Sequence, residues 1–135
     1  MGMELLQCFN NLQKIEIYNQ GYKTEFLKSD KEYESIVYEW NQTCFDAIKM
    51  PAFGVSLNEE TLKKLSEGIW INFIFNKTQI VDGMFFESLL LNVEREWQAF
   101  NLIRYNATTG FNGRCFYLQL NNKNMSNLYN LVANL

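Results

Sequence analysis

Apolar positions recur along this chain at two spacings, and the switches between them outline the domain. Leu5, Leu6, Phe9 and Leu12 have helical spacing, which predicts a short helix over 3–12. The segments "KIEIYN" and "YKTEFL" alternate on either side of Gln20-Gly21 and predict a hairpin. Pairing Ile17 with Thr24 and Ile15 with Phe26 would place its apolar side chains on one face. Ser29 followed by Glu32 is a capping-box pair, in which the hydroxyl accepts from a first-turn N–H and the carboxylate returns to the cap. The helix it opens carries one stripe, Tyr33, Ile36, Val37, Trp40, Cys44, Ala47 and Ile48, and Pro51 should end it near Met50. A shorter helix is expected from Asn58, its cap, to Glu67, with Leu62 and Leu65 inward and Gly68 as the left-handed exit.

From Ile69 the period becomes two. "IWINFIF" places Ile69, Ile71, Phe73 and Phe75 on one side and Trp70, Asn72 and Ile74 on the other. Residues 85–97, "FFESLLLNVEREW", fit both periods: Phe85, Leu89, Val93 and Trp97 share a helical face, whereas Leu89 to Val93 reads as a buried strand. Strand is favoured, because Phe100 to Tyr105 otherwise lacks a hairpin partner. The last strand ends near Leu120, and Asn124 can cap a C-terminal helix containing Met125, Leu128, Tyr129 and Val132. The order β-β-α-α-β-β-β-β-α, with no repeat or linker, describes residues 1–135 as a single α+β domain, a mainly antiparallel sheet with helices packed on one face.

Composition narrows the function classes more than the fold. A 135-residue chain that is 47% hydrophobic can bury about two thirds of its unfolded surface. A formal net charge of −3 provides no general attraction for nucleic acid or an anionic membrane, and the aromatics lack the interleaved basic residues of a base-stacking surface. The stretch "MGMELLQCFNNLQ" lacks a basic start and a sustained apolar core, and no apolar run approaches the roughly 20 residues that span a bilayer. The three cysteines, Cys8, Cys44 and Cys115, have no CxxC spacing and are expected to be reduced thiols in a cytoplasmic protein.

The chain contains no histidine, which removes Ser-His-Asp and Cys-His systems and every histidine-containing metal site. The seven glycines are dispersed, so no phosphate-cradling loop is encoded. No catalytic residue, metal ligand or cofactor is therefore assigned. Carboxylates remain as acid/base groups, and Glu94 and Glu96 would share a face if the strand ran from 88 to 96. Cys44 falls in the helix stripe and belongs to the core, while Cys115 should point away from its neighbour Arg114. The connection "MPAFGVSL" is apolar enough to form a pocket lip or a partner contact.

Only three arginines occur, Arg95, Arg104 and Arg114, and two of them lie inside the strand-like run "FNLIRYNATTGFNGRCFYLQL". A three-residue turn at Thr108-Thr109-Gly110 would pair Leu102 with Phe116 and Phe100 with Leu118, and oppose Arg104 to Arg114. Two like charges across a strand pair repel, so something anionic is required nearby. Glu87, Glu94, Glu96 or a helix carboxylate could supply it from within. Alternatively, the pair forms a bidentate site for an external carboxylate or phosphate, helped by Asn106 and Asn112.

Two function classes follow. The leading one is a non-enzymatic intracellular binding or regulatory protein whose partner is another protein. The alternative is a small anionic-ligand-binding domain with weak hydrolytic chemistry, using Arg104 and Arg114 beside a carboxylate such as Glu94.

Overall fold

Local turn chemistry and alternation build the first half of the sheet. In the computed structural model, which describes residues 4–135, a short helix α1 (Glu4–Gln7) and a 3-10 turn (Cys8–Asn11) lead into β1 (Leu12–Asn19) and β2 (Tyr22–Leu27). Of the helix expected over 3–12, Met3 lies outside the described residues and only Glu4–Gln7 is α-helical, since Cys8–Asn11 tightens into the 3-10 turn and Leu12 already belongs to β1. Ile15 pairs with Phe26 and Ile17 with Thr24, the register set by alternation and by the Gln20-Gly21 turn. Both turn residues have positive φ, 53° and 86°, as the hairpin twist requires.

Helix α2 (Lys31–Cys44) follows, then β3 (Ile48–Met50), β4 (Val55–Ser56) and α3 (Asn58–Lys64). The long strands β5 (Ile69–Val81) and β6 (Met84–Val93) form the centre of the sheet, succeeded by β7 (Ala99–Tyr105), β8 (Gly113–Arg114), β9 (Phe116–Gln119) and α4 (Ser126–Ala133). Seven strands make one antiparallel sheet in the order β2-β1-β5-β6-β7-β9-β3, and β4 pairs with β8 outside it. The ambiguous segment 85–97 is strand through Val93 and then turns, so Glu94 and Glu96 do not share a strand face.

One sheet face carries the main core. Ile15, Ile71, Phe73, Leu89, Leu91, Phe100 and Phe116 meet α1, α2 and α4 there through Leu5, Ile36, Trp40, Leu128 and Val132. Tyr33, Cys44 and Ala47 of the predicted stripe are buried with them, and Val37 is partly buried. Asn124 helps start α4 by accepting the Ser126 N–H at 3.0 Å.

Three local expectations change. The Ser29/Glu32 capping box does not form; Asp30 occupies the cap position of α2, and its carboxylate accepts the Leu27 N–H at 2.8 Å, closing the preceding turn. Helix α2 stops at Cys44, not near Met50, because residues 48–50 form β3 and pair with β9 through Ile48–Gln119, Lys49–Leu118 and Met50–Tyr117. Without that strand the outer backbone groups of β9 would lack partners, a cost that outweighs two more helical turns. Ile48 consequently leaves the core stripe and is exposed. The third change concerns α3, where Leu57 occupies the cap position, the helix ends at Lys64, and Thr61 with Leu65 turns inward while Leu62 faces solvent.

Helix α3 also departs from the layer formed by the other three. It lies over the second face of the sheet, where Leu65 packs with Trp70, Leu90 and Phe111. That cover, completed by β4, β8 and residues 106–112, turns an otherwise open sheet face into the site described next.

Candidate functional site

Strand alternation decides which side chains reach the second face. Three rows cross it: Tyr18, Trp70 and Asn92; Glu16, Asn72, Leu90 and Ile103; and Ile74, Ser88 and Tyr105, each member lying opposite the next on the neighbouring strand. Glu16, Asn72 and Ser88 sit within strands that are otherwise mostly apolar, yet they are only 7%, 8% and 4% exposed. Such burial demands hydrogen-bond partners.

Glu16 has them. Its Oε1 accepts the Asn72 Nδ2–H at 3.1 Å, and its Oε2 lies 3.6 Å from both Lys14 Nζ and Lys23 Nζ. Lys14 also holds Glu25 at 2.9 Å, and that bond raises the Lys14 ammonium above its ordinary range. Burial, and secondarily the Glu16 charge, pushes the Tyr18 phenol upward. Because a carboxylate can only accept, Glu16 orients the Asn72 carboxamide with its NH₂ inward, and the amide oxygen must face away. That oxygen is buried and has no hydrogen-bond partner. Asn72 and Ser88 line a cleft of about 370 Å³ whose walls include Tyr18, Tyr105, Phe111 and Glu87.

A large bulge shapes the rim. Beyond Ile74–Ser88 the β5–β6 register resumes at Gln79–Phe86, so residues 75–78 stand against Glu87 alone. The bulge turns Phe86 into the main core against Phe75, ring centroids 5.5 Å apart, while Ser88 stays on the cleft face.

The 106–112 loop roofs the cleft and is fastened at every turn. Asn106 Oδ1 accepts the N–H groups of Thr108 and Thr109, each at 3.0 Å. Asn106 and Gly110 exchange backbone bonds of 2.8 and 3.2 Å, with Gly110 in the left-handed region at φ 65°. Glu87 Oε2 accepts the Ala107 N–H at 2.9 Å. Asn58 Oδ1 accepts from Phe111 N at 3.0 Å, Asn112 Oδ1 accepts from Asn58 N at 2.7 Å, and the Ser56 hydroxyl donates to the Phe111 carbonyl. These bonds set the Phe111 ring against Tyr105, 4.9 Å between centroids.

The arginines contribute to the same scaffold. Leu102–Phe116 and Phe100–Leu118 pair in the expected register, but the chain before Phe116 leaves β7. There Cys115 N–H donates to the Gly54 carbonyl and Arg114 pairs with Val55 instead of facing Arg104. Arg104 Nε donates to the Arg114 carbonyl at 2.6 Å and its Nη1 to the Phe85 carbonyl at 2.9 Å. Burial lowers its guanidinium pKa, with the Arg114 charge adding to the effect and Cys115 opposing it. Among the described residues neither Arg104 nor Arg114 joins an ion pair; Arg114 is exposed. A Cβ at position 113 would lie 2.7 Å from Arg104 Nη2, and Gly113 leaves room for the guanidinium.

Arg104 thus donates to backbone carbonyls, while Asn106 and Asn112 accept from backbone N–H groups of the loop and its neighbours. Arg104→Gln should destabilise the fold by on the order of 1 to 3 kcal/mol, through two charge-assisted bonds to carbonyls. That is smaller than the 3 to 5 kcal/mol typical of breaking a buried ion pair. Urea unfolding measures the difference. Sulfate titrated into wild type and variant at matched ionic strength reads external anion binding separately, since a specific anion site on Arg104 would protect the wild type more.

The thiols are placed by packing. Burial raises the pKa of Cys44 within the core and also that of Cys115, the latter against weaker pulls from Ser56 and Arg104. Among the described residues no cluster of cysteine and carboxylate side chains has the arrangement of a metal site, and no helix is long and apolar enough to cross a membrane.

Glu16, Asn72 and Ser88 were not among the sequence candidates. Their trace was present as a lone polar residue on one side of "IWINFIF" and of "FESLLL", and as Glu16 beside Lys14 on one side of "KIEIYN", but nothing local joins the three. Fold and site together define an α+β sheet domain with a half-roofed, polar-floored cleft. No protein-family model matches the chain, and neither a curated protein nor a solved structure does.

Proposed function

We propose that the protein is a non-enzymatic binding domain that takes a small organic ligand in the cleft on the second face of its sheet. The observation that carries this reading is the Asn72 carboxamide, nine-tenths buried, turned by Glu16 so that its oxygen has no partner, in the floor of a cavity of ligand size. A buried acceptor left unpaired costs about 1 to 3 kcal/mol, a penalty a ligand donor would relieve. Glu16 acts here as a brace: its oxygens are committed to Asn72, Lys14 and Lys23, which suits it to orient an amide.

Fragment titration followed by amide chemical shifts tests the site. Perturbations should concentrate on Asn72, Ser88, Tyr105 and Phe111. A fragment set that leaves these four amides unmoved while shifting others would overturn the reading.

A protein partner is the second reading, favoured by Phe53, Val55, Leu57 and Leu62, all more than half exposed on or beside the cover. Serine at Phe53 and Val55 should then abolish capture of that partner without moving the cleft amides.

A further inference from the structure

We infer that the cleft selects a planar organic cation, an amidinium or protonated amine carried on an aromatic ring, rather than an anion; this rests on the cleft being the binding site. The polar groups that converge there supply acceptors. One Asn72 amide N–H is given to Glu16, and the buried carbonyl oxygen beside it has no hydrogen-bond partner among the described residues. Glu87 presents a carboxylate of which one oxygen takes the Ala107 N–H, and among the described residues it joins no ion pair. No lysine or arginine lines the cavity.

Charge around the floor points the same way. Glu16 and Glu25 are paired with Lys14 and Lys23, whereas Glu87, which stands across from the bulge containing Lys77, joins no ion pair among the described residues and keeps its charge at the rim of the cleft. An anion placed there would meet the Asn72 oxygen and the like charge of Glu87, whereas a cation with N–H donors would satisfy both. Tyr105 and Phe111, tilted against each other at 4.9 Å, and Tyr18 supply ring faces that attract a cation and pack against a flat body. Ser88 adds a hydroxyl that can accept from the same N–H group or donate elsewhere. The Asn72 oxygen is closed from bulk water, so a donor reaches it when a neighbouring side chain turns aside, a rotamer change common on binding. Glu87 and the rings make the first contact.

Benzamidine, benzamide and benzoate separate the alternatives, being one ring with a cationic, neutral or anionic head. Titration into the full chain, read by amide shifts and calorimetry, should give saturable benzamidine binding at Ser88 and Tyr105 that is about tenfold tighter than for benzamide or benzoate. Glu87→Gln keeps an acceptor for the Ala107 N–H and removes the charge, so it should weaken benzamidine by about tenfold with little change in melting temperature. Benzoate or benzamide binding as tightly as benzamidine at the same amides would overturn the cation class while leaving the cleft as the binding site. Equal benzamidine affinity in wild type and Glu87→Gln would overturn the role of Glu87, and with it the proposal. If none of the three probes moves the cleft amides, the proposal falls, and the broader fragment set then decides whether the cleft reading falls with it.

Discussion

Trp40→Ala is expected to lower the free energy of unfolding by about 3 to 5 kcal/mol, the range for truncating a fully buried large aromatic side chain. Trp40 is 1% exposed and stands where α2 meets the sheet. Its indole contacts Phe9, Phe73 and Phe100, with ring centroids 5.3, 4.9 and 5.8 Å away. Those three rings come from the N-terminal turn, the central strand β5 and β7, so the indole packs together elements far apart in the chain. Phe73 is fully buried and Phe9 is already edge-on to it at 5.0 Å, which leaves little freedom to collapse into the space. Domains are stable by only about 5 to 15 kcal/mol, so the loss would consume much of the total. Urea unfolding with an unchanged slope and a lowered midpoint would report it. An unchanged midpoint would contradict the placement of Trp40 in the core.

Phe111→Ala should have the next largest effect, and it should separate stability from binding. Phe111 is 8% exposed and packs with Leu65, Trp70 and Leu90 under the cover. Truncation there should cost about 2 to 4 kcal/mol, below the value for Trp40 because one side of the ring borders the cleft and water can fill the space. The backbone at 111 should stay in place. Its N–H goes to Asn58 Oδ1 and its carbonyl accepts from Ser56, bonds that do not involve the ring. Hydrogen exchange at the loop amides should therefore remain slow relative to global unfolding, while benzamidine affinity falls by more than tenfold. Loss of loop protection together with binding would show instead that Phe111 acts by holding the roof closed.

The local signals of this chain were strong where a turn or a stripe spoke for itself. The Gln20-Gly21 hairpin adopted the register its alternation implies, since two positive-φ turn residues and one apolar face leave few other pairings. The α2 stripe from Tyr33 to Cys44 faces the core at its predicted positions for the same reason, with Val37 partly buried and the others buried. Signals weakened wherever a distant strand made a competing demand. Ile48 continued the helical spacing but was claimed by the open edge of β9, and Asn58, expected to cap its own helix, was used by Phe111 instead. The arginine pair shows the limit most clearly. Extending the hairpin register beyond Phe116 was sound arithmetic, yet β4 captured residues 113–114 and Arg104 turned to two carbonyls from chain segments 10 and 19 residues away.

Fold class, the long strands and the first part of α2, and the absence of histidine chemistry are properties of the sequence, because hydrophobic period, turn residues and composition act over a few neighbouring positions, whereas β3, β4 and β8 arise from pairing with distant strands. The cleft is a property of the tertiary structure. Glu16, Asn72 and Ser88 come from β1, β5 and β6, and they meet only because antiparallel pairing places Glu16 opposite Asn72 and Ser88 opposite Ile74, one pleat further along. What makes Asn72 a binding group is also non-local: a carboxylate 56 positions away turns its amide. A roof pinned by Asn58, Asn112 and Glu87 then places Phe111 over the cleft that Asn72 floors.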